Sequence, residues 1–352
     1  KGLRRPPGGG REGPGGVRGA GRRAKTARAP RASGPAMSGV LAAGLSNLVA
    51  SVSIILVNKQ IASVCGFHFI LTLLFLNFIT TGSFLEVVQR LGWFEVKHMP
   101  TRDRWLIALL AMLTVLLNNS SNEANSVGFY QITKLLIIPT VIGIERLGGT
   151  RRTYSKGIVL SLIVASVGVA IATVSDFEIN LRGSVLSFFS ILLTAQYQIL
   201  QSGKQHEHGI SAMQITYTVS WPQSVLGCVA ALIFDVQLPW LKQFFLLRQG
   251  GLLEHTLRGP EDVYWIIGCC LIAVGMNVST YGLLGKTSPV TYQVLGQLKT
   301  CLIVFFGYVF FDTKVPTFWL AVRFGGVGIA VVGILSYAFF KNSEQKPAEK
   351  KA

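Results

Sequence analysis

The sequence predicts an all-α membrane protein of ten transmembrane helices, arranged as two inverted five-helix repeats. Three observations predict it. The 352 residues are 50% hydrophobic and only 14% charged, where a soluble domain carries roughly 25% charged residues. The apolar residues fall into runs about 20 residues long, the length that crosses a bilayer as a helix. These runs lack the period-2 alternation of a membrane β-strand, so each span satisfies its backbone internally as a helix.

The net charge of +17 divides unevenly along the chain. Residues 1–36 hold ten Lys/Arg and one acid, Glu12. They are rich in Gly, Pro, Arg and Ala and lack the apolar core of a secretory signal. Two readings stand: sequence upstream of a start at Met37, favoured because Met37 precedes the first apolar run, or a plastid-type transit peptide. Either way 1–37 is expected to be a disordered basic segment. Residues 38–340 are expected to form the ten-helix membrane domain, with halves 38–178 and 179–340, and 341–352 a basic cytosolic tail.

Ten apolar segments follow in order: 39–58, 67–88, 105–122, 126–145, 157–175, 183–202, 213–234, 263–284, 288–311 and 317–340. Only Asn122–Asn125 separates the third from the fourth, and Glu123 there argues for a turn. Ten spans put both termini on one side. With 1–36 omitted, the connections on that side carry 14 Lys/Arg against 6 on the other. By the positive-inside rule the termini are therefore cytosolic.

A short internal repeat accompanies this count. Ser126, Tyr130 and Gln131 in the fourth span recur in register as Ser288, Tyr292 and Gln293 in the ninth, at an offset of 162. Spans four and nine are equivalent when each half has five helices, and an odd number inverts the second half. That plan places a solute site near the midplane, between the halves.

The chemistry-bearing residues lie on these two spans. Lys134 and Lys299 sit mid-span, where a charge costs roughly 2.5–3.5 kcal/mol on insertion scales and usually marks function. Glu86, Glu123, Glu145 and Asp235 all lie near span ends, so neither lysine has a mid-span acid. Tyr130 and Gln131 share a face with Lys134. Tyr292, Gly296 and Lys299 form one row of the ninth span, and Gln293, Gln297 and Thr300 the next. Ammoniums for phosphate, tyrosines for a ring and amides for sugar or base edges describe an anion site, with Gly296 leaving room for the ligand. Tyr217, Asn277 and Tyr281 in spans seven and eight are further candidates; helix–helix hydrogen bonds account for them equally well. Arg323 either reaches the midplane or snorkels to an interface.

Other chemistry is poorly represented. His98 and Asp103 have the spacing of some membrane acyltransferases, with His98 as general base and Asp103 orienting it, but their 16-residue loop leaves no room for a catalytic domain. The expectation is therefore no enzyme and no catalytic residue. His206 and His208 flank Glu207 in a loop without a third metal ligand. The five cysteines show no metal or disulfide spacing. No cofactor, metal or nucleic acid is implied.

The segment Ser288-Pro-Val-Thr-Tyr-Gln-Val-Leu-Gly-Gln-Leu-Lys-Thr300 resembles the ninth-helix motif of the nucleotide-sugar and triose-phosphate transporter family, within the drug/metabolite transporter superfamily. Asn58-Lys59 and Phe67-His-Phe-Ile-Leu-Thr72 also look like family features, and the resemblance covers about 38–340. Plastid phosphate translocators carry Lys-Arg where this chain has Lys299-Thr300. The Gly-Ala-Leu-Asn-Lys motif of GDP-mannose transporters has its lysine one residue later. Lys-Thr resembles the UDP-sugar subgroup. The resemblance implies antiport of a nucleotide sugar, most simply a UDP-sugar, for its nucleoside monophosphate, by rocking of two halves in a lipid bilayer. It gives Lys134 and Lys299 the phosphates, and Thr300, Tyr292 and Gln297 the pocket wall. The Golgi membrane is the expected location, with the endoplasmic reticulum and the plastid inner envelope as alternatives. A homodimer is compatible with it. The alternative function is a plastid-type sugar-phosphate translocator.

Overall fold

The computed structural model describes residues 37–148, 154–173, 180–236, 252, 259–310 and 317–350. The expectations for residues 1–36 fall outside them. The described residues are helical and contain no strand. The helices are α1 (Met37–Ser63), α2 (Ile70–Arg90), α3 (Thr101–Ala124), α4 (Val127–Leu135), α5 (Ile137–Leu147), α6 (Lys156–Thr173), α7 (Leu181–Glu207), α8 (Ala212–Ala231), α9 (Pro260–Lys286), α10 (Pro289–Phe310) and α11 (Thr317–Lys350). A π-helical turn, Leu232–Val236, continues α8. Eight of these segments are long and apolar enough to cross a membrane. Each of the ten expected segments coincides with a helix, except the fourth, which is split.

The split has a local cause. Pro139 has no N–H to offer the carbonyl of Leu135, and its ring crowds that carbonyl. Helix α4 therefore ends at Leu135, and α5 starts at Ile137. At the joint, Leu136 has φ −70° and ψ −11°, and its N–H turns back to the Thr133 carbonyl at 3.1 Å. The fourth span is thus two half-helices, with Lys134 in the last turn of the first. A cation there is favoured by the negative end of the helix dipole.

In hydrocarbon, helices gain nothing from burying apolar faces against one another, so they associate through close backbone approach and polar contacts. Both appear here. Between α6 and α11, a Cβ added to Gly168 would collide with the backbone of Ala330, and one on Gly333 with the backbone of Ala165. Between α3 and α7, Asn125 donates to the Gly183 carbonyl at 3.0 Å, and Ser121 and Ser187 share a hydrogen bond of 2.7 Å. Asn47 joins α1 to α9. Gly82 of α2 lies against Ser220 and Trp221 of α8. Outward positions such as Leu45, Val49, Phe188, Leu271 and Leu335 stay exposed, as lipid-facing side chains do.

Contacts between the connections sort them into two ends. At one end Lys286 reaches the Gly39 carbonyl, Lys97 the Gly209 carbonyl and Gln214 the Glu95 carbonyl. At the other end Asp235 accepts from the Thr72 N–H at 2.6 Å, at the start of α2, and Asn180 donates to the Ala124 carbonyl. This partition is the one an even number of crossings requires.

A spacing weighed and set aside in the sequence is not realised, and one loop assignment is corrected. Asp103 is not oriented toward His98. It lies in the first turn of α3, accepts from Lys204 at 3.1 Å and pairs with His208 at 3.0 Å, while His98 is exposed. The spacing of a His-x4-Asp motif reaches across the start of a helix, and Asp103 finds its partners on α7 instead. Likewise His206 and Glu207 belong to α7 rather than to a loop.

The α6–α11 contact predicts that Gly168→Leu is strongly destabilising. Forcing a branched side chain between touching backbones costs about 1–3 kcal/mol or more. The detergent-solubilised variant should melt several degrees below wild type by nanodifferential fluorimetry, whereas Gly325→Ala, whose added Cβ meets open space, should not.

Candidate functional site

Each mid-span lysine sits in a corner where three helices meet. Lys134 shares a small cavity with Asn118 and Ser121 from α3, Tyr130 on its own helix, and Ser187 and Ser190 from α7. Its ammonium lies 4.2 Å from the centroid of the Tyr130 ring. Lys299 of α10 donates to the Asn47 side-chain oxygen and, at 2.8 Å, to the Ser51 hydroxyl, both on α1. Its ammonium is 5.7 Å from the Tyr292 ring centroid. Asn47 is in turn tied to α9, donating to Thr280 at 2.9 Å and Ser279 at 3.2 Å.

The electrostatics of both corners are one-sided. Among the described residues neither lysine has an ion pair. Three of the four acids considered as partners are engaged elsewhere: Glu86 with Arg90 and Tyr217, Glu145 with Tyr154, and Asp235 with Thr72. Every group placed on Lys299 is neutral, so its charge is solvated by dipoles alone. A mobile anion can supply what the protein withholds.

The sequence-derived site residues divide into three groups. Tyr130 with Lys134, and Tyr292 with Lys299, are brought together as cation–π pairs. Gln293, Gln297 and Thr300 line the same helix, but each is already used. Gln293 donates to Gln198 at 2.9 Å, Gln297 donates to Ser166 at 2.9 Å, and Thr300 bonds the Gly296 carbonyl one turn back. Beside Gly296, an added Cβ would meet only the Gln293 side-chain oxygen, at 3.9 Å, so the space expected there exists. Gln131 is half-buried on α4. The third group serves packing: Tyr217 donates to Glu86 at 2.6 Å, Asn277 to Thr81 at 3.0 Å, and Tyr281 accepts from Gln223 at 3.0 Å. Arg323 lies on α11 and is half-buried.

Sequence reasoning passed over the residues that complete the corners. Asn47 and Ser51 are fully buried, on one face of α1 one turn apart. An Asn and a Ser at i and i+4 within an apolar run are a readable signal, because unpaired they would be costly in hydrocarbon. Asn118 and Ser121 repeat it at i and i+3 on α3.

The cavity beside Lys134 measures about 10 Å³, room for about one water. Small-molecule sites are commonly 300–1,000 Å³. The cavity itself is therefore too small to hold a solute of that size.

Comparison with known proteins agrees with this architecture. Residues 41–338 match the model of the Triose-phosphate Transporter family. The chain is 38% identical over 303 residues to UDP-xylose transporter 1 of Arabidopsis thaliana, covering 86% of this chain and 84% of that one. It is 36% identical over 313 residues to UDP-xylose transporter 3 of the same plant, covering 88% and 84%. UDP-rhamnose/UDP-galactose transporter 1, also from Arabidopsis thaliana, is 28% identical over 302 residues, covering 85% and 83%. A solved crystal structure superposes with a TM-score of 0.60 at 13% identity, over 87% of this chain and 99% of that one, a likeness of fold alone. With its helices, its uncompensated lysines and these relatives, the chain is a transporter rather than an enzyme, and it belongs to the triose-phosphate transporter family.

Proposed function

We propose that the protein exchanges a UDP-sugar for UMP across the Golgi membrane, with both termini in the cytosol. The observation that carries the reading is the pair of cationic corners without acids, at Lys134 and Lys299. A nucleotide sugar offers two phosphate charges to those ammoniums and flat rings to Tyr130 and Tyr292. A UDP-sugar and UMP each carry about two negative charges near neutral pH, so their exchange moves little net charge. The relatives named for UDP-xylose are nearer in sequence than the UDP-rhamnose/UDP-galactose transporter described above, which makes UDP-xylose the first sugar to test. Thr300 in place of the arginine of phosphate translocators argues against a bare sugar phosphate.

The exchange would run on two inverted repeats, and the helix pairings support this. Advancing each span by five turns the α1–α9 pair into the α7–α3 pair, and the α9–α2 contact into α3–α8. The α2–α8 and α6–α11 pairs map onto themselves, as pairs astride a two-fold axis must. At the offset of 162 found between spans four and nine, Gly168 maps to Ala330, the residue whose backbone it touches. The same operation carries the Lys134 corner (α3, α4, α7) onto the Lys299 corner (α9, α10, α1).

Reconstituted protein should take up radiolabelled UDP-xylose into vesicles preloaded with UMP and scarcely into empty ones. Equal uptake into both would refute antiport, and inhibition by inorganic phosphate as strong as that by UMP would favour the sugar-phosphate alternative. Lys299→Ala and Lys134→Ala should each lower exchange by at least about tenfold, roughly the 1.4 kcal/mol of one lost phosphate contact, without lowering thermal stability. His98→Ala should leave exchange at the wild-type rate, and a large loss there would reopen the enzyme reading.

A further inference from the structure

In this structure Lys299 is not waiting in an open cavity. It is held by α1. Its ammonium has two acceptors, the Asn47 side-chain oxygen and the Ser51 hydroxyl. Asn47 is 0% and Ser51 3% exposed, so this is a built contact rather than a surface accident. The remaining capacity of both residues is committed to holding them in place. Ser51 donates to the Asn47 carbonyl at 2.5 Å, and the Asn47 amide grips Ser279 and Thr280 on α9. The contact also joins parts of the chain far apart in sequence, α1 in the first half and α10 in the second.

The Lys134 corner is built from equivalent helices but is in a different state. Lys134 shares its corner with Ser187 and Ser190 of α7, yet it lies over Tyr130, remains exposed, and among the described residues donates to neither serine. Among the described residues one ammonium is therefore hydrogen-bonded across the two halves, while the other has only its contact with the Tyr130 ring.

We infer that Asn47 and Ser51 are positioning residues that act as an internal substitute for the substrate's phosphate: they hold Lys299 when no anion is bound, staple α1 to α10, and release them only when an anion takes the ammonium. This rests on the antiport reading and gives it a physical basis. An exchanger must not change its facing while empty. A staple that only an anion can undo prevents the empty carrier from rocking, because parting α1 from α10 would strand a cation in hydrocarbon. With a phosphate on Lys299 the ammonium keeps a partner throughout the movement, and the cost disappears. The neutrality of the acceptors is essential. A dipolar amide and hydroxyl are strong enough to hold an ammonium, and weak enough to lose it to a doubly charged phosphate.

Two variants test this in opposite directions. Ser51→Ala removes one charge-assisted bond and loosens the staple. Uptake of UDP-xylose into empty vesicles should rise about fivefold or more, so that the ratio of UMP-loaded to empty uptake falls toward one. Asn47→Asp places a fixed carboxylate on Lys299 and tightens the staple. Binding of UMP, read by thermal shift in detergent, should weaken by about tenfold or more, exchange should stop, and the melting temperature without UMP should hold or rise. A purely structural role would instead lower the ligand-free melting temperature of both variants and slow loaded and empty uptake together; that result overturns the inference. So does a wild-type ratio in Ser51→Ala, or wild-type UMP binding in Asn47→Asp. If wild-type protein itself fills empty and loaded vesicles equally, the antiport reading fails on that control, and the Asn47→Asp binding measurement still decides whether α1 competes for Lys299.

Discussion

The architecture depends on one electrostatic constraint: a cation near the middle of a bilayer must be given a partner, and among the described residues no acid pairs with either mid-span lysine. Desolvating an ammonium is costly whatever surrounds it. A carboxylate beside Lys134 or Lys299 would offset the cost permanently and leave the site closed to anions. The chain offsets it provisionally instead, with an aromatic face at each lysine and with the amide and hydroxyl of α1 at Lys299. Such partners are adequate for an empty site and inferior to a phosphate. Three acids near the span ends are engaged elsewhere, Asp235 capping α2 through Thr72, Glu86 holding Tyr217 and Glu145 holding Tyr154.

Packing follows from the same medium. Because lipid is as apolar as leucine, the helices adhere through backbone contact and short polar bridges. That explains why α6 and α11 meet through Gly168, Gly333, Ala165 and Ala330, and why α3 and α7 meet through Asn125, Ser121, Ser187 and Gly183. The two kinds of interface differ in what they permit. Interlocked backbones such as α6 against α11 resist sliding. Hydrogen-bonded seams such as α1 against α10 can be broken and remade, provided another group takes over the bonds. Movement between the halves is therefore expected along seams of the second kind, and Lys299 lies in one of them.

Much of this was legible in the residues alone. Apolar runs of bilayer length located the ten segments, because in a membrane length and hydropathy carry most of the fold information. The lysines were legible because a charge stands out in such a run. The break at Leu136 was not anticipated, although Pro139 marks it: a run of uniform hydropathy hides a backbone interruption, and only the missing N–H reveals it. The partners of Asp103 were hidden for another reason. Spacing along the chain says which residues can meet, but Asp103 lies at a helix start whose nearest cations, Lys204 and His208, come from α7, a hundred residues away. The same limit hid Asn47 and Ser51, since nothing in a local pattern joins α1 to α10.

The two corners differ in state, and the helices that carry the lysines differ as well. Pro139 interrupts the fourth span five residues after Lys134, whereas no proline follows Lys299 within α10. The fourth span is consequently two half-helices, with Lys134 in the last turn of the first, and the ninth runs unbroken past Lys299. The lysine with only its ring contact is thus the one whose helix is interrupted and whose charge the helix end already favours. The tied lysine is the one on a continuous helix that needs an outside partner. A single proline can therefore decide which corner is bound to its neighbour and which stands ready for the anion.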